Sequence, residues 1–128
     1  MDNLAEIAPL AGTLGIEVTQ ASPEEVRGGM DWAAEKCTAG GVLHGGALMA
    51  FADTLGGVCA FLNLPEDASN TATVESKTNF FRAVRDGRVD GVTRPLHVGR
   101  SFIVVQTDVL DSDERRVAQV TQTQAVLG

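Results

Sequence analysis

Asp53 is the only charged side chain between Gly45 and Leu62, in a stretch that is otherwise mostly apolar. Burying a lone carboxylate is costly unless it is paired or changes its protonation. A chain keeps such a group for a partner, a cap or a reaction; the plainer alternative is a bond to a backbone amide or to a basic strand residue. Gly45 and Gly46 stand where a helix should begin. The first amides of a helix have no internal acceptor and sit at the positive end of its dipole. Two glycines let a substrate oxygen approach those amides closely, which would make an oxyanion-type site for a carbonyl. The alternative for the pair is a tight loop packed on a sheet. His44 stands nine residues before Asp53. At about 100° per residue the two are half a turn out of phase on one helix. They share a site only if His44 lies in the loop, or if two chains contribute one each, as a twofold dimer would allow.

Other catalytic sets are missing. The chain has no Gly-x-Ser-x-Gly elbow and neither of the usual glycine-rich nucleotide loops. His44 and His97 are 53 residues apart and have no second-ligand spacing for a metal. His97, in Pro95-Leu96-His97-Val98-Gly99-Arg100, reads as a turn or sheet-edge residue. The two cysteines make neither a disulfide framework nor a zinc set. Cys59 reads as core and Cys37 as a thiol near the loop.

The elements that must position these residues follow from periodicity and breakers. Residues 4–11 predict a short helix, and 13–20 and 25–34 two strands separated by Ser22-Pro23. Residues 47–62 are too long for a strand, rich in helix formers and apolar nearly all round, which predicts a buried helix that stops before Pro65. Residues 70–83, 87–97, 100–110 and 115–126 alternate and favour Val, Thr, Ile and Phe, the pattern of strands in hairpins or a meander. One buried helix followed by antiparallel strands implies an α+β fold whose sheet wraps the helix.

Composition narrows the partners. A chain of 128 residues is the size of one domain, and 44% hydrophobic with 21% charged residues argues against disorder. A net charge of −7 and the absence of Tyr speak against nucleic acid. No uninterrupted apolar run approaches the ~18–20 residues of a membrane span. The acidic start, Met1-Asp2-Asn3-Leu4-Ala5-Glu6, lacks the features of a signal peptide, so a cytoplasmic setting is expected. Residues 1–70 hold ten Asp/Glu against two Lys/Arg, whereas residues 77–100 hold six Lys/Arg against two Asp. Such a basic band suits a small phosphorylated partner; the alternative is scattered, solvated strand ends.

Val42-Leu43-His44-Gly45-Gly46, followed by an apolar helix with Asp53 nine residues after the histidine, resembles the hotdog-fold acyl-CoA thioesterases. The phenylacetate-degradation and 4-hydroxybenzoyl-CoA branch looks closest. Thr78-Asn79-Phe80-Phe81-Arg82 leading to Gly87 resembles that family's third-strand segment, and Gly99-Arg100-Ser101 the start of its next strand. The likeness spans about residues 12–127. It implies that Asp53 acts as nucleophile or as general base for water, that the Gly45 amide donates to the thioester carbonyl, and that His44 shapes the loop. Gly46 and Ser101 would lie against substrate or CoA, with Arg82 and Arg100 on its phosphates or pantetheine. Each site would lie between two protomers. The chain departs from the family with Thr38 where Asn or Gln is usual six residues before the histidine, and with Gly57 where some members carry Ser or Thr. Thr38 can still donate a hydrogen bond, with shorter reach than an amide. Thr73 aligns with a Ser/Thr that helps some members hold water.

The expectation is therefore an α+β hotdog fold over residues 1–128, with an antiparallel sheet wrapped around one long buried helix. Its function would be hydrolysis of an aryl-, arylacetyl- or medium-chain acyl-CoA to the free acid and CoA. No cofactor is implied, since CoA is part of the substrate and the carboxylate and amide supply the chemistry. The assembly implied is a homodimer with shared active sites, paired into a dimer of dimers, without nucleic-acid or membrane partners. The rivals are a non-catalytic acyl-CoA-binding hotdog module and an enoyl-thioester hydratase, which would use a His and a carboxylate as acid and base.

Overall fold

Pro9 and Gly15 shape the start of the chain in the computed structural model, which describes residues 3–128. A residue before proline is pushed out of the α region. Ala8 (φ −127°, ψ 84°) accordingly splits the helix expected over 4–11 into α1 (Leu4–Ile7) and α2 (Pro9–Leu14). Gly15 ends α2 in the left-handed region, φ 68°, which costs a glycine nothing. The strand expected from residue 13 thus begins later, as β1 (Glu17–Ala21).

β2 (Val26–Asp31) turns back on β1, and two short 3-10 turns lead into α3 (Gly45–Leu62). After it come β3 (Asn70–Phe80), β4 (Arg88–Val98), β5 (Phe102–Leu110) and β6 (Arg116–Leu127). The sheet order is β1-β2-β4-β5-β6-β3, with every neighbouring pair antiparallel. Only β4, β5 and β6 form the expected meander. The helix crosses the face of the sheet, so the chain leaves it at the far edge and β3 pairs with β6.

The core face of α3 carries Ala47, Leu48, Phe51, Ala52, Leu55, Gly56, Cys59 and Ala60, spaced three or four residues apart. Gly28 and Gly91 face each other in register beneath it. A side chain at either would collide with Leu55, so the glycines let helix and sheet close up. Phe51 and Leu55 are fully buried there, each stabilising the fold by about 1.5–3 kcal/mol. The opposite face of α3 is not covered, contrary to the expectation of a buried helix. Met49 is 39% and Phe61 53% exposed on the chain by itself. At 18 residues and mean hydropathy 1.5, α3 also equals a membrane span in length and apolarity, which the sequence was expected to lack. Its contact with the sheet accounts for the apolar residues of the core face.

Candidate active site

His44 caps α3. Its backbone is extended (φ −61°, ψ 134°), and its Nδ1 accepts the Gly46 N–H at 2.7 Å. The acceptor role requires an unprotonated Nδ1, which places the ring proton on Nε2. The His44 carbonyl takes the next two amides, Ala47 at 2.9 Å and Leu48 at 3.2 Å. Of the first four amides of α3, that of Gly45 has no acceptor among the described residues. The glycine pair therefore offers one free amide, that of Gly45, because the histidine ring occupies that of Gly46. Space is tight at both glycines, less so at Gly45, where the half-exposed Phe80 ring can give way. A Cβ at Gly45 would lie 3.1 Å from the Phe80 ring, and one at Gly46 would lie 2.9 Å from His44 Nδ1. The loop is anchored by Leu43 N–H to the Val84 carbonyl (2.9 Å), His44 N–H to Lys36 (2.9 Å) and Thr38 N–H to Val42 (2.8 Å). A cavity of about 410 Å³ opens beside Gly45 and brings it together with Thr38 and Arg82.

Asp53 is exposed on the open face of α3, which corrects the picture of a carboxylate in a dry helix. Its partner is neither an amide nor a basic residue: the Thr73 hydroxyl donates to Oδ1 at 3.0 Å. Thr73 is the register partner of Gln124 on β6, whose Nε2 donates to Thr73 Oγ1 at 2.6 Å. The same Nε2 donates to Gln122 Oε1, and Gln122 Nε2 donates to the Ala52 carbonyl at 3.2 Å. Both glutamines are buried, at 0% and 1% exposure. Neither was anticipated. The available signal was the run Val120-Thr121-Gln122-Thr123-Gln124, where polar residues continue the inward phase of a strand that begins with Ala118 and Val120. A second cavity of about 570 Å³ lies beside Asp53 and is walled mainly by apolar residues, Val58 and Phe61 among them. At Gly57 a side chain would meet open space.

Gly45 and Asp53 are eight residues apart on α3, which is about 12 Å along the axis. Arg82 and Arg100 are farther apart. Arg82 N–H bonds the Val117 carbonyl at 3.3 Å, and the Ser101 carbonyl takes Val126 N–H at 2.9 Å. Those contacts fall at opposite ends of β6, about 30 Å from each other. The two arginines cannot grip one phosphate group from one chain. The basic band is also partly neutralised across the sheet: Arg88 reaches Glu17 (3.0 Å) and Asp31 (3.1 Å), and Arg94 reaches Glu25 (2.6 Å). The hydrogen bond from Arg27, with that from Arg94, holds the Glu25 carboxyl below its usual range. Lys77, Arg82, Arg85 and Arg100 enter no ion pair among the described residues. His97 is exposed near the end of β4, and burial pushes the Cys59 thiol up to about 11. Among the described residues no three His, Cys, Asp or Glu side chains cluster as metal ligands would.

Known proteins share both the fold and the sequence. The profile of the thioesterase superfamily matches residues 40–118, from the loop before His44 into β6. The proofreading thioesterase EntH of Cronobacter turicensis is 32% identical over 98% of this chain and 91% of its own length. The 1,4-dihydroxy-2-naphthoyl-CoA hydrolase of Escherichia coli is 36% identical over 68% of this chain and 63% of its own. A thioesterase structure from Haemophilus influenzae superposes with a TM-score of 0.91 at 26% identity, covering 99% of this chain and 90% of that one. The free amide at a helix N-terminus, the carboxylate on the same helix and these relatives agree: the chain belongs to the thioesterase superfamily, has its hotdog fold and is a thioester hydrolase.

Proposed function

We propose that the protein hydrolyses an acyl-CoA to the free acid and CoA at two sites shared between two copies of the chain. One observation carries this reading: the free Gly45 amide and Asp53 stand more than two turns apart on α3, each beside its own cavity. Hydrolysis needs the donor at the carbonyl oxygen and the carboxylate at the carbonyl carbon together. A twofold axis that laid two α3 helices antiparallel would set Gly45 of one copy against Asp53 of the other. β3 supports this, being a sheet edge that carries Thr73 and exposes Val74 and Phe80.

In this reading Gly45 N–H takes the thioester oxygen, held in place by the His44 cap and the loop containing Thr38. Asp53 either attacks the carbonyl carbon or removes a proton from the attacking water. In the first case CoA leaves as thiolate and water then hydrolyses the acyl-aspartyl anhydride; in the second the tetrahedral adduct expels the thiolate directly. Neither route calls for a metal or an organic cofactor. Arg82 from one copy and Arg100 with Ser101 from the other would reach the CoA portion. The cavity beside Asp53, walled by Leu4, Ile7, Val58 and Phe61, suits an aryl, arylacetyl or medium-chain acyl group. The naphthoyl-CoA hydrolase among the relatives favours the aryl choice, in keeping with the 4-hydroxybenzoyl and phenylacetate branch. Dimers would pair into tetramers, and a CoA thioester substrate fits a cytoplasmic setting.

Complementation tests the sharing. Asp53→Asn and Gly45→Pro, each inactive by itself, should regain activity when mixed and allowed to exchange subunits. Half of the dimers are then hybrids with one intact site, so about a quarter of wild-type activity returns. A mixture that exchanges subunits and stays inactive overturns the shared site.

A further inference from the structure

We propose that Gln124, oriented by Gln122, is a positioning residue that forces the Thr73 hydroxyl to donate to Asp53 and so holds the catalytic carboxylate in one orientation. The inference rests on Asp53 acting at the thioester, as proposed above.

The argument follows hydrogen-bond polarity around a closed ring of groups. A backbone carbonyl can only accept, so Gln122 must turn its NH₂ towards Ala52. Its Oε1 then faces Gln124, which must present its own NH₂. That nitrogen has two protons: one goes to Gln122 Oε1 and the other to Thr73 Oγ1. Thr73 has a single hydroxyl proton. With its oxygen accepting from Gln124, the proton goes to Asp53 Oδ1. The polarity set by the carbonyl of residue 52 thus returns, through β6 and β3, to the side chain of residue 53. Oδ1 is tied down, and Oδ2 has no protein partner among the described residues and is open to the reaction.

Two features show that the ring is more than filling. Two amides at 0% and 1% exposure burden a core unless their partners are in place. Leucine or methionine would pack the same inward positions of β6 without that demand. Gly56, one turn after Ala52, lies where any side chain would collide with the Gln122 amide. The helix therefore leaves room for the amide itself.

The test measures kcat, KM and melting temperature for Thr73→Val, Thr73→Ser, Gln124→Leu and the double variant Thr73→Val with Gln124→Leu. The substrate is whichever of benzoyl-, phenylacetyl- and hexanoyl-CoA the wild type turns over fastest. Thr73→Val and Gln124→Leu should each lower kcat by about 10–10²-fold and leave KM within about twofold. Thr73→Ser should restore turnover, and the double variant should lose no more than the worse single, because both changes break one ring. Multiplying losses in the double variant, or wild-type kcat in either single, overturns the proposal. If Gln124→Leu does not fold, Gln124→Glu replaces it: near-isosteric, it draws the Thr73 proton away from Asp53 and should match Thr73→Val. Thr73 lies on an exposed edge strand, so Thr73→Val remains a folded test in any case. Asp53→Asn runs alongside. Near wild-type turnover there fails the functional reading itself, whereas an inactive Asp53→Asn beside fully active ring variants fails only the ring.

Discussion

The two halves of the site are built in different ways. The loop half, around Gly45, is made mostly of backbone, and apart from the Leu43–Val84 bond its hydrogen bonds join close neighbours in the chain. His44 caps Gly46 two residues on, and Thr38 bonds Val42 four residues on. The acid half, around Asp53, is made of side chains brought from far apart. Asp53 and Thr73 are 20 residues apart, Thr73 and Gln124 are 51, and Ala52 and Gln122 are 70. A backbone donor comes with any helix start that glycine and a cap leave accessible. An orientation for a carboxylate has to be imposed by tertiary neighbours. The donor half should therefore survive changes elsewhere in the fold, whereas the acid half should respond to substitutions on β3 and β6.

The largest effect expected is at Asp53. Asp53→Asn should lower kcat by about 10²–10⁴-fold, the range for losing a general base or nucleophile. Its melting temperature should hardly move, because the side chain is exposed and the amide oxygen can still accept from Thr73. A large drop in melting temperature, with turnover lost in proportion, would make Asp53 structural and dissolve the contrast between the halves. Gly45→Pro deletes the free amide and probes the other half. Proline is tolerated at the first position of a helix, and His44, at ψ 134°, already has the backbone that precedes proline. Turnover should fall by about 10²–10³-fold, the usual cost of losing an oxyanion donor. Unchanged helicity by circular dichroism should accompany the loss; wild-type kcat would show that the amide does not face the substrate.

The arginines give the smallest effect and address the halves separately, since they sit at opposite ends of β6. Arg82→Glu or Arg100→Glu should each raise KM for acyl-CoA about tenfold, as the loss of a charge-assisted hydrogen bond implies. Neither should change KM for the truncated N-acetylcysteamine thioester. Equal effects on both substrates would assign the arginines to the sheet.

What could be read from the sequence was whatever depends on residues a few positions apart. The extent of the helix, the alternation of the last four strands and the cluster His44-Gly45-Gly46 at a helix start all follow from local periodicity, capping and breakers. The resemblance of that cluster to hotdog thioesterases rests on the same residues. The split at Ala8 was legible as well, since Pro9 imposes it locally, although a single helix was expected there. Tertiary structure decided the rest. Apolar composition nearly all round over 47–62 implied a buried helix, but one sheet covers only one face of a helix, which leaves Asp53 exposed. Pairing β3 with β6 instead of β4 put Thr73 opposite Gln124 and sent Arg82 and Arg100 to opposite ends of one strand. Side-chain spacing along a chain records which way a residue points within its own element. Which element it then meets depends on how strands are ordered in the sheet, and that order is settled by packing between residues distant in sequence.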